Sequence, residues 1–190
     1  SLGIGNSVLV GNDAVYAGGA VQCTDSATRI KSSILSGNSS NSYGGAIDGS
    51  AGDLDLLNSV LSGNEAQLGA GAIRVTGSIL NIVNCSVSGN TSPVETGGIR
   101  SNSSATTITN SILWNNTTAD VFDENVQIFS RGLPLPVVSY SCIQDQVPGD
   151  GQVYPGTGNI DTDPQFMDPD GQDNILGTED DDLLPFVTSP

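Results

Sequence analysis

Residues 58–64 read NSVLSGN, and closely related heptapeptides precede and follow them at a constant distance. The related segments are NSVLVGN at 6–12, SSILSGN at 32–38, NCSVSGN at 84–90 and NSILWNN at 110–116. Their final asparagines recur with a 26-residue period and no insertion, as Asn12, Asn38, Asn64, Asn90 and Asn116. A fixed period of this length predicts a solenoid, in which each repeat forms one coil and successive coils stack.

Residues at equivalent positions of successive repeats form a column, and other columns keep the same period as the asparagines. One column is Gly19, Gly45, Gly71 and Gly97, a second is Val21, Ile47, Ile73 and Ile99, and a third is Ile4, Ile30, Leu56, Ile82 and Ile108. Apolar residues lie two apart within each repeat, which is the period of a strand. Leu2, Ile4, Ser7, Leu9 and Val21 are predicted to face inward, and the column between the first two is polar (Gly3, Arg29, Asp55, Asn81 and Thr107).

Three strand segments per repeat predict triangular coils that stack about 4.8 Å apart. The predicted fold is therefore all-β, a right-handed parallel β-helix with three-strand coils and a 26-residue repeat over residues 1–116. The composition agrees, since 24 glycines and only 5% aromatic residues suit short strands joined by tight turns.

The charge is unevenly distributed along the chain. The net charge is −16, of which −3 falls on residues 1–116 (7 acidic and 4 basic) and −13 on residues 117–190 (14 acidic and 1 basic). Such a charge repels nucleic acids and anionic membrane surfaces, so neither is expected as a partner. No apolar run approaches the roughly 20 residues of a membrane helix, and no secretion leader precedes the repeats. Any export signal is expected to have been removed or to lie outside this sequence.

The three cysteines are predicted to be buried free thiols. Cys85 occupies the small-residue column of Ser7, Ser33, Ser59 and Ser111, and Cys23 belongs to a different inward column. They and Cys142 form no CxxC pair, so neither a metal nor a redox site is indicated.

The repeats resemble the right-handed parallel β-helix repeats of large bacterial surface and secreted proteins. ATTITNSILWNN at 105–116 and YGGAI at 43–47 carry this resemblance, which covers residues 1 to about 116. The resemblance implies the fold, whereas proteins with such coils serve as adhesins, passenger domains, polysaccharide lyases and spacers.

Beyond Asn116 the period fails, and SYSCI at 139–143 arrives about 30 residues after its counterpart. We expect one irregular coil at 117–145, followed by an acidic, Gly/Pro/Asp-rich capping segment at 146–190, because a solenoid end leaves strand edges that need cover. Residues 156–183 also resemble the C-terminal part of the same bacterial proteins, often classed with choice-of-anchor Q domains.

The capping segment contains a candidate calcium site. Asp168, Asp170 and Asp173 flank Gly171 in a DxDGxD arrangement that resembles the calcium loops of secreted repeats, with Asp180 and Asp182 available to complete the coordination. The alternative is a solvated acidic turn. Structural Ca²⁺ is the cofactor that this pattern predicts.

A catalytic site is harder to find. The chain has no histidine, which removes the commonest general base and every Ser-His triad. The best constellation is Asp48, Arg74 and Arg100 in one outward column, which could in principle bind an acidic sugar and remove its proton. The alternative is a cross-strand ion pair on a solvated ladder, and no second aspartate joins Asp48 in an adjacent column.

The sequence also indicates two surface features, an apolar outward column and possible glycosylation sites. An outward column is apolar in four of five coils (Val8, Ile34, Val60 and Ile112, interrupted by Ser86), which indicates a partner contact or cover by the C-terminal tail, unless it reflects strand propensity alone. The N-glycosylation pattern Asn-x-Ser/Thr occurs at 38, 84, 90, 102, 115 and 116. Asn102 and Asn115 are the better candidates, because Asn38, Asn90 and Asn116 belong to the repeating column and are unavailable if that column is an internal ladder.

The sequence therefore predicts a non-catalytic extracellular structural protein, secreted or at the cell surface. Its uncapped first coil suggests a stalk, or a subunit that stacks head to tail into a filament, although the chain could also be a fragment of a longer solenoid. The alternative is a carbohydrate-binding or lyase-like β-helix, for which the repeats before Trp114 offer only Tyr16 and Tyr43 as aromatic platforms.

Overall fold

The computed structural model describes residues 1–118, 124–168 and 182–185, and it gives the backbone alone for 124, 167–168 and 182–185. The strands are β1 (Leu2–Gly5), β2 (Val8–Val10), β3 (Asp13–Ala14), β4 (Val21–Thr24), β5 (Thr28–Lys31), β6 (Ile34–Ser36), β7 (Ser39–Ser40), β8 (Ile47–Ser50), β9 (Asp53–Leu57), β10 (Val60–Ser62), β11 (Glu65–Ala66), β12 (Ile73–Thr76), β13 (Ile79–Val83), β14 (Ser86–Ser88), β15 (Ile99–Asn102), β16 (Ala105–Thr109), β17 (Ile112–Trp114), β18 (Ile128–Arg131), β19 (Val137–Ser139), β20 (Cys142–Ile143), β21 (Gly156–Thr157), β22 (Phe166–Asp168) and β23 (Asp182–Pro185). A four-residue helix, α1 (Glu124–Gln127), precedes β18. Among the described residues no helix is long and apolar enough to cross a membrane.

Equivalent strands of successive repeats pair in parallel, so the chain is a β-solenoid as predicted. Sheet A has the order β1-β5-β9-β13-β16-β19-β21, sheet B the order β2-β6-β10-β14-β17-β20, and sheet C the order β4-β8-β12-β15-β18. Partners such as Ile4 and Ile30 or Arg74 and Arg100 keep the 26-residue period of the sequence. A short sheet D (β3-β7-β11) adds a fourth, two-residue strand to the predicted three.

The inward columns form a continuous core along the solenoid axis. Its largest fully buried members are Ile30, Leu35, Ile47, Leu54, Leu56, Leu61, Ile73, Leu80, Ile82, Ile99, Ile108 and Leu113. Each such side chain contributes about 1.5–3 kcal/mol relative to an exposed one. Stacking of similar apolar residues in successive coils thus helps to hold the coils together.

The asparagine column forms an internal hydrogen-bonded ladder. The backbone N–H and the side-chain Nδ2 of Asn38 both donate to Oδ1 of Asn64, at 2.9 Å each. The same two bonds join Asn64 to Asn90 and Asn90 to Asn116, and Nδ2 of Asn116 donates to Oε1 of Gln127 at 2.6 Å. The ladder satisfies backbone groups where the chain leaves sheet B.

The glycine column permits the closest approach of neighbouring coils. A Cβ atom on Gly45 would overlap the carbonyl oxygens of Gly71 and Glu65. At another corner, between sheets A and B, the chain turns through left-handed residues with φ near +50°, among them Asn58 (φ 48) and Asn84 (φ 55). Asparagine tolerates this conformation better than most residues, which explains its recurrence there.

The stacking continues past the regular repeats with altered spacing. Ile99 pairs with Ile128 and Ile108 with Val138, so the spacing exceeds the regular period by three and four positions. A further partial coil follows, in which Gly156 pairs with Val138 and Ile160 forms a bridge to Cys142. Ladder pairing therefore reaches into the segment that begins at residue 146. The hairpin β22–β23 then pairs Phe166 with Pro185 and Asp168 with Asp182 in antiparallel fashion.

Candidate functional site

The predicted catalytic column lies on the outward face of sheet C. Asp48 on β8, Arg74 on β12 and Arg100 on β15 are neighbours in the ladder. Arg74 pairs with Asp48 at 2.6 Å between Nε and Oδ1, and its Nη2 lies 3.3 Å from Oδ2. Both oxygens of the Asp48 carboxylate therefore face one guanidinium group.

This ion pair is not on a solvated ladder. Asp48 is 3% exposed and Arg100 is 7% exposed. The guanidinium carbon of Arg74 lies 4.0 Å from the centroid of the Tyr43 ring, and Arg100 forms an ion pair with Glu95. Nε of Arg100 also donates to Oδ1 of Asn102 at 3.0 Å. We call Tyr43, Asp48, Arg74, Glu95 and Arg100 the sheet C cluster.

The period of the repeat could have located Tyr43 and Glu95. Tyr43, Gly69 and Glu95 share one column of the 26-residue period, and each lies five residues before a member of the predicted column. Gly69 leaves space for the aromatic ring, because a Cβ there would lie 3.0 Å from Cδ1 of Tyr43. Sequence reasoning missed these partners because they belong to corner segments without strand alternation.

The electrostatics of the sheet C cluster are those of buried, paired charges. Burial raises the pKa of the Asp48 carboxyl, and the charge of Arg74 opposes this shift. Burial also lowers the pKa of the Arg100 guanidinium, with repulsion from Arg74 and Arg131 adding to the effect. Each arginine has one carboxylate partner, so the cluster is neutral as a whole. To act as a general base, Asp48 would first have to lose its contact with Arg74.

A second polar group lies on the outward face of sheet A. Arg29 donates to Oδ2 of Asp55 through Nε (3.2 Å) and Nη2 (2.9 Å), and Nδ2 of Asn81 donates to Oδ1 at 2.9 Å. The hydrogen bond from Asn81, with that from Arg29, lowers the pKa of the Asp55 carboxyl. These residues line an open groove of about 530 Å³ together with Leu2 and Ile79.

The predicted calcium ligands fall mostly outside the described residues. Asp170, Asp173 and Asp180 are not described, and only the backbones of Asp168 and Asp182 are. The hairpin places those two backbones opposite each other.

A different acidic group lies within the described part. Asp145, Asp150 and Asp161 each bring one carboxylate oxygen within 4.8 Å of the other two. Asp161 is 3% exposed, and its Oδ2 accepts a hydrogen bond from the N–H of Gly149 at 2.9 Å. Oxygen ligands of this kind are those that Ca²⁺ takes. The sequence signal for this group was the pair of aspartates that flanks the Pro148-Gly149 turn.

The apolar column lies on the outward face of sheet B, as its register predicts. Val8 is 58% exposed, whereas Ile34, Val60 and Ile112 are half-buried. The polar member, Ser86, is only 7% exposed.

The candidate glycosylation sites differ in accessibility. Asn115 is exposed at a corner, with φ of 55°. Asn102 is half-buried and accepts the hydrogen bond from Arg100. Asn38, Asn90 and Asn116 are fully buried in the ladder.

The three cysteines are buried free thiols, as predicted. Burial raises the pKa of Cys85 to about 11 and that of Cys142 to about 12, and in the latter case Asp161 and Asp163 add to the effect. Such thiols stay protonated and unreactive at neutral pH.

Comparison with known proteins adds no relative. No protein-family model matches the chain, and no curated protein or solved structure matches it either.

Proposed function

We propose that the protein is a non-catalytic structural solenoid of an extracellular or cell-surface protein, and that its coils stack end to end with those of a further copy. The observation that carries this proposal is that successive coils pair through the same parallel strands and the same apolar columns, so another copy can repeat the packing between coils. Between coils of the interior, Leu54 and Leu80 are 1% and 0% exposed and Leu35 is fully buried. Leu2 (44% exposed) and the half-buried Leu9 show the apolar surface that one coil offers to a neighbouring coil.

The asparagine ladder supports stacking at the same edge. In the interior of the asparagine column, Oδ1 accepts two hydrogen bonds from the preceding coil, as Asn64 does from Asn38. Asn12 donates to Asn38 in the same way, but nothing within the described residues donates to Oδ1 of Asn12. A stacked coil with the same pattern would complete this ladder.

The arrangement of charges supports a non-catalytic role. In the sheet C cluster, Asp48 is occupied by Arg74 and Glu95 by Arg100. Interactions of this kind tie corner segments to a sheet and offer no free acid-base pair. Carboxylates that are each paired with an arginine are expected in a cluster with a structural role.

Self-association can be measured directly. We expect sedimentation velocity to show species that grow with protein concentration, and electron microscopy to show rods of constant width. Leu2→Lys should shift the distribution toward the monomer, because it places a charge on the joint. Val15→Lys is the matched control, since Val15 is 66% exposed and lies outside the inward columns. A wild-type protein that stays monomeric at high concentration would overturn end-to-end stacking.

Carbohydrate binding is the second candidate, and the sheet A groove is the observation that favours it. Its donors and acceptors, Arg29, Asp55 and Asn81, repeat at the spacing of the coils and line an open groove, in which Arg29 is exposed and the other two are half-buried. Titration calorimetry against neutral and acidic polysaccharides should give binding that Asn81→Ala weakens and Asp48→Asn leaves unchanged. The lyase-like activity would appear as unsaturated product, and its loss in Asp48→Ala and Arg74→Ala would assign it to the sheet C cluster.

Structural Ca²⁺ is the cofactor that we propose for the acidic C-terminal region. Binding to the folded state raises the melting temperature, so calcium should stabilise the protein and a chelator should reverse the effect. Two variants distinguish the candidate sites. Asp182→Asn should reduce the calcium-dependent rise in melting temperature if the predicted ligand set binds the ion, and Asp161→Asn should reduce it if the Asp145, Asp150 and Asp161 group does. An unchanged melting temperature would remove calcium from the proposal.

A further inference from the structure

The apolar column of sheet B extends beyond the regular repeats. In the ladder Ile112 is followed by Cys142, and Cys142 by Ile160. The column thus runs through Val8, Ile34, Val60, Ser86, Ile112, Cys142 and Ile160. We call it the sheet B stripe. Seven positions at the usual strand spacing span about 29 Å.

The C-terminal segment leaves the last coil directly onto this stripe. Cys142 belongs to an outward column, yet it is only 7% exposed. Its Sγ lies 3.2 Å from the carbonyl oxygen of Thr162, and Thr162, Asp163 and Pro164 line one groove together with Ile112. The residues that follow the last coil therefore cover the C-terminal end of the stripe, near Cys142.

The hairpin β22–β23 lies further along the same face. Strand β23 (Asp182–Pro185) runs beside β14, the strand that carries Ser86. Exposure along the stripe agrees with this placement, since Val8 at the far end is 58% exposed and Ser86 is 7% exposed. An outward serine in a flat parallel ladder would be open to solvent if nothing lay over it.

We propose that the sheet B stripe is the docking surface of residues 161–168 and 182–185 of the chain's own C-terminal segment. These residues lie over the last coils and cover apolar surface that would otherwise be an exposed patch. The stripe suits residues rich in carboxylates, because it offers apolar contact and carries no acidic side chain that would repel them. The inference is independent of end-to-end stacking, which involves the strand edges of the first coil and not the faces of the sheets.

Cross-linking in the full-length chain tests the contact. The double variant Ser86→Cys/Leu184→Cys, treated with a short bis-maleimide, should give an intramolecular cross-link that peptide mass spectrometry identifies. The matched control is Arg29→Cys/Leu184→Cys, because the Arg29 side chain is 65% exposed on the separate sheet A. The native thiols interfere little, because burial raises the pKa of all three, to about 11 for Cys85 and to about 12 for Cys142. Each single-cysteine variant reports any residual reaction with them.

Thiol reactivity gives a second readout that needs no cross-linker. Ser86→Cys and Val8→Cys place the same group in one column, at covered and open positions. A thiol under the C-terminal segment should react more slowly than the open one, by roughly tenfold or more.

The outcomes separate the possible occupants. An intramolecular Ser86–Leu184 cross-link together with slow labelling at position 86 supports the proposal. A cross-link found only between two chains would assign the stripe to a second copy and overturn it. Equal cross-linking in the Arg29 control, or equal labelling at positions 8 and 86, would mean that the segment is not docked.

Discussion

Truncation of one asparagine in the internal ladder should destabilise the whole solenoid. In Asn64→Ala the side chain loses four hydrogen bonds: Nδ2 to the Leu35 carbonyl (2.9 Å) and to Oδ1 of Asn90 (2.8 Å), and Oδ1 from the N–H and the Nδ2 of Asn38 (2.9 Å each). Three of the four groups left behind keep another partner. Nδ2 of Asn38 still donates to Leu9, Oδ1 of Asn90 still accepts from the N–H of Asn64, and the Leu35 carbonyl still takes part in the β6–β10 ladder.

The cost follows from the one group that is left without a partner, the N–H of Asn38, which lies at a fully buried position. An unsatisfied buried backbone group costs about 1–3 kcal/mol, so the free energy of unfolding should fall by roughly 1–3 kcal/mol.

Urea unfolding followed by circular dichroism measures this loss as a lower midpoint. Asn12→Ala is the matched control, since Asn12 belongs to the same column but is exposed at the open edge and accepts no ladder bond within the described residues. It should cost less than about 1 kcal/mol, because water replaces the lost partner. If the two variants were equally stable, the ladder would not be a source of stability.

Three further predictions concern single residues. Gly45→Ala should destabilise strongly or prevent folding, because its Cβ would overlap two backbone oxygens of the next coil, whereas Gly3→Ala, with no atom within 4 Å of the new Cβ, should change the melting temperature little. Arg74→Met should lower the free energy of unfolding by roughly 3 kcal/mol, since it leaves the buried Asp48 carboxylate unpaired. This loss should shrink toward acid pH, because protonation removes the charge of that carboxyl. A loss of stability that does not change with pH would contradict this account. Burial raises the pKa of the Cys85 thiol to about 11, against 9.0 for an ordinary thiol. Its contribution to stability is therefore fully present below pH 9 and is lost as the pH rises toward 11. Cys85→Ser, which places the serine of the other coils at this position, should remove part of the alkaline decline of the melting temperature.

The sequence was sufficient to predict the coils because every repeat places the same residue in the same surroundings. Asn64 recurs as asparagine in each coil, and Leu61 recurs as leucine or valine, so a strict period identifies both the ladder and the core without any knowledge of long-range contacts. The two-residue strand Ser39–Ser40 escaped prediction because a segment this short shows no alternation.

The candidate sites depended on contacts that the period does not encode. Tyr43 and Glu95 contact the arginines from corner segments, and the burial of Asp48 follows from that cover rather than from its own strand. The extension of the apolar stripe to Cys142 and Ile160 was missed because the spacing changes after Asn116. The pairing of Asp168 with Asp182 belongs to an antiparallel hairpin, whose register the parallel repeat does not indicate.

The asparagine ladder also gives the solenoid a direction. Each ladder bond runs from the Nδ2 of one asparagine to the Oδ1 of the asparagine in the following coil, so the amide dipoles add along the axis. The edge at Asn12 consequently presents acceptors, and two such edges brought face to face would oppose oxygen to oxygen. A two-fold symmetric joint at this edge is therefore disfavoured, and any coil added there must arrive in the same orientation as the coils already in place.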